Sequence, residues 1–208
     1  MKRFFLIVCL FFFCNNIFSQ NVSNKLIKEY EDTLRVIAEQ IMFAKKESDR
    51  IKANNGFIPI LKEVLSFDKS FKYPFDSLET LAILSPEDKS FRLFNWILRK
   101  DNGTYDYFCL IHYNNKKKKK FEIIELFDKS ETIRNEKFED LDSKNWYGAL
   151  YYEIIYIKKS GRKYYTLLGW DGNDGRSTKK IIEPIYFSGK NKVKFGLPIF
   201  KLKDKTRP

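Results

Sequence analysis

From residue 80 to residue 195 the chain reads as two groups of short β-prone runs, joined within each group by links too short for a crossover. Such links force antiparallel pairing, and this limits the fold more than any other feature of the sequence. The runs fall at 80–84, 91–98, 105–113 and 121–127, then at 149–158, 163–170, 179–187 and 192–195, with a fainter one at 199–201. Between them stand Ser85-Pro86-Glu87-Asp88, Asn102-Gly103, Ser160-Gly161, Asp174-Gly175 and Ser188-Gly189, residues that favour tight turns. The polar segment 130–145 divides the runs into two groups of four. This division resembles an internal duplication, or two propeller blades, which are too few to close a ring. In the run from Ala149 one face would carry Ala149, Tyr151, Glu153, Ile155 and Ile157, and the other Leu150, Tyr152, Ile154 and Tyr156. Both faces are largely apolar, which predicts cover on both. Pro184 predicts a bulge or an edge strand.

Ahead of the β-prone part the periodicity is helical. Tyr30, Leu34, Ile37, Ile41, Ala44, Ser48 and Ile51 recur at spacings of four and three and share one stripe. Asn55-Gly56 predicts a stop, and Pro59 predicts the opening of a second helix reaching residue 67, with Ile60, Leu61, Val64 and Leu65 on its apolar face. The expected fold is α+β, an N-terminal helical pair packed on a C-terminal antiparallel β-meander of about eight strands. The expected divisions are a leader over 1–19, a helical region over 20–72, a β domain over 73–203 and a tail over 204–208.

Lys2 and Arg3 precede a nearly unbroken apolar run over 4–13, and a small residue, Ser19, stands before Gln20. This is the order of a secretory signal peptide cut between Ser19 and Gln20. The run is short of the roughly 20 apolar residues that span a bilayer, so an uncleaved anchor is the weaker reading. Lipid attachment at Cys14 is disfavoured by bulky Phe13 before it. The pattern predicts an exported protein, periplasmic, envelope-bound or extracellular, in which Cys109 is the one remaining thiol and no internal disulfide can form.

The formal net charge is +12. A balance of this sign admits anionic partners, but lysine far outnumbers arginine, and Asn, Ile, Phe and Tyr are also abundant, as A/T-rich codons alone would produce. Phosphate recognition favours the arginine fork, which makes nucleic acid the weaker partner. A concentrated charge does occur at Lys116, Lys117, Lys118, Lys119 and Lys120, which follow Asn114-Asn115 at an expected hairpin tip. It is read as a solvated tip that discourages edge pairing or, functionally, as a contact for an anionic polysaccharide or membrane surface.

Catalytic patterns are sparse. The stretch Asp171-Gly172-Asn173-Asp174-Gly175 begins like a calcium loop, but its fifth, sixth and twelfth positions are Gly175, Arg176 and Ile182, which supply neither the oxygens nor the glycine required. A turn accounts for the same residues. His112 is the only histidine and is read as a satisfied core residue, and Cys109 as an inert core thiol. Carboxylates that could serve a hydrolase are Glu122, Glu125, Glu153, Asp171, Asp174 and Glu183. No cofactor, metal ligand or catalytic residue is assigned. The function expected is that of a non-catalytic module binding a polymer or protein through Trp96, Trp146, Tyr147, Trp170 and the lysines. A carboxylate-based secreted hydrolase is the alternative, and would gain if two of Asp171, Asp174 and Glu183 shared one concave pocket.

The stretches 85–113 and 145–187 also carry aromatic and glycine-rich wording, notably "SPEDKSFRLFNW", "NGTYDYF", "WYGALYY" and "YYTLLGWDGN". In these the chain resembles a family of uncharacterised exported proteins of Bacteroidetes-type bacteria, over residues 73–200. The resemblance implies no activity, cofactor or catalytic residue. It implies a chain that would continue beyond the "FGLPIF" stretch with further strands, hence an open sheet edge or a shortened C-terminus here.

Overall fold

The computed structural model describes residues 23–116, 118–135, 139, 141–188, 192–196 and 199. The expected leader over 1–19, the tail over 204–208 and Lys117 lie outside the described residues. Of the expected run 199–201, only Ile199 is described, and it belongs to no strand.

Helix α1 (Asn24–Phe43) starts at Ser23, whose Oγ accepts a bond from Leu26 N at 3.2 Å and so satisfies one of the free N–H groups of the first turn. Helix α2 (Glu47–Leu65) runs straight through Asn54, Gly56 and Pro59. The break therefore falls at 44–46, not at Asn55-Gly56, and Pro59 opens no helix. Tertiary contacts account for the shift. The buried Arg50 guanidinium donates from Nη1 to Ala44 O at 2.8 Å and Lys45 O at 3.0 Å, which caps the end of α1. Its Nε reaches Arg99 O at 2.8 Å and its Nη2 reaches Asp101 at 2.5 Å. Asn54, which the sequence places in a turn, instead accepts a bond from Trp96 Nε1 at 2.8 Å. Local turn preference is worth only about 1 kcal/mol, less than these buried polar contacts can hold.

A 3-10 turn (Asp68–Phe71) leads into two antiparallel sheets. The first has the order β1 (Ala82–Leu84), β2 (Phe91–Arg99), β3 (Tyr105–Asn115), β4 (Lys120–Phe127). The second has the order β5 (Leu141–Asp142), β9 (Lys192–Phe195), β8 (Lys179–Ser188), β7 (Arg162–Asp171), β6 (Leu150–Lys159). The fold is α+β, as expected, with the strands parted into sheets of four and five. The short β5, inside the segment read as a polar separator, completes the second sheet by pairing with β9.

The first sheet is the middle of three layers. Along β2, Phe94, Trp96 and Leu98 pack with Phe57, Leu61 and Val64 of α2 and with Leu34 and Ile41 of α1. Phe91 and Leu93 point the other way, into a core shared with Leu167 of β7 and Ile185 of β8. Period-two alternation thus feeds two cores from one strand. Asn95 joins the sheets. Its Nδ2 donates to Phe108 O at 2.8 Å and Ala149 O at 3.1 Å, and its Oδ1 accepts Tyr151 N at 2.5 Å, so one side chain pairs with the edge of β6 as a strand would. At the link into β6, Asp128 accepts Gly148 N at 3.2 Å; a Cβ on Gly148 would stand 2.4 Å from that carboxylate, so only glycine fits.

Among the described residues the second sheet is covered on one face only, against the expectation of cover on both. The register with β7 shifts between Tyr151 and Glu153, so β6 carries a bulge at Tyr152. Ala149, Tyr151, Ile154 and Tyr156 consequently face the core, while Glu153, Ile155 and Ile157 turn outward. Nor does Pro184 mark a bulge or an edge. It lies in β8 between β7 and β9, where the β9 pairing ends: Pro184 O accepts Gly196 N at 3.1 Å, and the absent proline N–H would have pointed to the same side.

Candidate functional site

The aromatic strip expected of Trp96, Trp146, Tyr147 and Trp170 is not formed. Trp96, Trp146 and Tyr147 are buried, and Trp170 is half-buried edge-on against Tyr105. Large aromatic rings in strands contribute most by leaving water, and here they do.

The carboxylates do not share a pocket. Asp171 is buried, and its oxygens accept Tyr107 OH at 2.9 Å, Tyr147 OH at 2.8 Å and Asn173 N at 2.7 Å. Lys179 donates to Tyr147 OH at 2.9 Å. This set braces the root of the β7–β8 turn. Asp174, exposed at the tip, accepts Arg176 N, Ser177 N and Ser177 Oγ within the same turn. Those bonds hold its carboxyl below the usual range. Glu183 lies between the sheets and accepts a short bond from Tyr151 OH, which in turn accepts Trp146 Nε1 at 2.7 Å. Burial pushes the Glu183 carboxyl up to about 7. Glu153, read as an interruption of a covered face, is exposed. Among the described residues no group of three or more His, Cys, Asp or Glu could hold a metal ion.

Cys109 is a buried thiol whose pKa burial drives up, as its core setting predicts. His112 is buried as expected but not satisfied: neither ring nitrogen has a hydrogen-bond partner. Its ring sits edge-on to Phe71 at 5.0 Å and to Phe121 at 5.5 Å, and burial with nearby Arg92 brings its pKa down to about 3. It is a neutral, water-excluded imidazole.

The lysine hairpin forms where the sequence places it. Lys116, Lys118, Lys119 and Lys120 are exposed, and Lys118 and Lys120 converge on Glu122 at 3.0 and 3.6 Å. Two clefts open at its root, and Asn114 and Lys116 belong to both. One, of about 400 Å³, is walled by Tyr113, Tyr165, Tyr186 and Phe187 and carries Lys163. The other, of about 550 Å³, is walled by Phe71, Tyr73 and Phe121 and carries Lys72, Lys89 and Arg92. Ser90 lines the first and Asp88 the second; Asp88 accepts Lys163 Nζ at 2.5 Å and Tyr165 OH at 3.0 Å. The lysines were legible from the sequence. The aromatic walls were not, because they come from β3, β4, β7, β8 and the 3-10 turn. One signal was available: Arg92 is the lone charge in the apolar run 91–98.

A second exposed feature is the outer face of the second sheet. Ile155, Ile157 and Ile182 are 38%, 54% and 58% exposed, and Tyr152 at the bulge is 50% exposed. Among the described residues no helix is long and apolar enough to cross a membrane. Compared with protein-family models, curated proteins and solved structures, the chain matches none.

Proposed function

We propose that the protein is a non-catalytic module of the cell envelope or extracellular space that binds an anionic polysaccharide through the lysine hairpin and the two clefts at its root. Its N-terminal pattern and its resemblance to exported proteins belong to the same proposal. One observation carries the reading: Lys116 and Asn114 stand on the rim of both clefts, so cations and ring-faced walls form one continuous surface. Sugar rings stack on aromatic faces, and carboxylates or sulfates on such rings seek cations. An anionic polymer meets both demands at once, while a bilayer surface has no rings to place in the clefts. The hydrolase alternative is not adopted, since Asp171, Asp174 and Glu183 each serve a separate internal set of bonds.

The test is retention on an immobilised polyuronate, with a neutral glucan and phosphatidylglycerol vesicles alongside. The wild type should bind the polyuronate, more weakly as salt rises. Replacing Lys116, Lys118, Lys119 and Lys120 with Gln should abolish retention. Equal binding to the neutral glucan, preference for the vesicles, or a variant that binds as well as the wild type would each reject the proposal.

A further inference from the structure

Within that surface, which rests on the polysaccharide reading above, we infer that the Arg92 cleft seats the carboxylate of a single sugar-acid ring. Arg92 projects from β2 beside the 3-10 turn and is 7% exposed. Its Nη1 donates to Ser70 O at 3.1 Å, Phe71 O at 3.2 Å and Tyr73 O at 2.6 Å, and its Nη2 to Pro74 O at 3.1 Å. The guanidinium carbon lies 4.9 Å from the Phe94 ring centre and 5.6 Å from that of Phe75. Four carbonyls and two rings fix the group in place, but none of them carries a countercharge. Among the described residues Arg92 forms no ion pair; Asp76 acts on it only from a distance, and burial brings its pKa down to about 10.

A buried guanidinium without a carboxylate is costly, and an arriving carboxylate would relieve that cost. The cleft is suited to deliver one. Lys72, Lys89 and Lys116 flank it, and its one acid, Asp88, is engaged by Lys163 at 2.5 Å and by Ser90. The neighbouring cleft has less of this surplus, because its Lys163 is already paired with Asp88 and only the shared Lys116 remains. Beside the charge, Phe71 and Phe121 stack on each other at 4.6 Å and line the same cleft with apolar surface for the C–H face of a ring. Neutral His112 stands behind that wall and adds no charge. A volume of about 550 Å³ falls within the range of small-molecule sites.

The experiment is a nuclear magnetic resonance titration of the whole chain with glucuronate, glucose and inorganic sulfate, following the Arg92 Nε–H and Phe121 ring signals. Glucuronate should shift both; glucose should shift neither. Replacing Lys72 and Lys89 with Gln should weaken glucuronate about tenfold, the loss of roughly one charge-assisted contact. R92M, checked for folding by circular dichroism, should remove the response; if it unfolds, the lysine variant decides the matter. Unmoved Arg92 signals, a response equal to that of glucose, or sulfate binding as well as glucuronate would overturn the inference. Polyuronate retention without any glucuronate shift would sink this cleft and leave the polymer reading standing. A glucuronate shift without polyuronate retention would do the reverse.

Discussion

The two sheets are built from similar material and treated differently. β2 reads FRLFNWILR and is buried along nearly its whole length, with helices on one face and the second sheet on the other. β6 reads LYYEIIYIKK, and its residues beyond the bulge alternate between core and solvent. An apolar strand is thus not by itself a covered strand; what matters is whether a second surface lies opposite. The middle layer has two such neighbours and the outer sheet has one. Each sheet also buries a titratable group whose charged form burial disfavours. His112 faces the helical core, and Glu183 faces the core between the sheets.

Acid should strike the first sheet hardest. Folding keeps His112 neutral down to about pH 3, whereas the unfolded chain takes up a proton near pH 6.5. The unfolded state then binds more protons, so stability falls as pH drops through that window, by about 4–5 kcal/mol in all. Denaturant titrations of H112L should lack this loss; a wild-type curve parallel to that of the variant would show that His112 takes up its proton without cost.

The second sheet should respond with the opposite sign and a smaller size. Glu183 keeps its proton up to about pH 7, while the unfolded chain releases it near 4.5. Stability is therefore lost as pH rises from 4.5 to 7, by about 3 kcal/mol. Between 4.5 and 6.5 this opposes the His112 effect, so the wild-type profile alone would conceal both. The difference between wild type and E183Q isolates it: the gap should open with rising pH and stay level above 7. A gap that does not change with pH would mean that Glu183 titrates alike in the folded and the unfolded chain.

The smallest effect belongs to the open face. Replacing Ile157 and Ile182 with Lys should change unfolding free energy by no more than about 0.5 kcal/mol each, as at other exposed sites. A loss several times larger would show that this face is covered in solution and would erase the contrast between the sheets.

How much of this was legible depended on the range of the cause. The eight main strands were found within a few residues, because β-branched and aromatic runs between Gly, Asn and Pro turns constrain the backbone locally. The helix break was misplaced because Arg50 and the Asn54–Trp96 bond, both long-range, override an Asn-Gly signal. The open face was misjudged because one bulge residue, Tyr152, reverses the alternation downstream. At the site, five successive lysines announced themselves, whereas Trp96 and Trp146 went to the core and Trp170 packs half-buried at its margin.

Taken alone, the order of residues decided the kinds of element, their succession and their antiparallel sense, since these follow from backbone preference and short links. Tertiary structure decided which apolar faces meet another surface, which charges lose their water and which rings wall a cleft. Burial is a relation between distant parts of the chain, and no local pattern carries the identity of the partner.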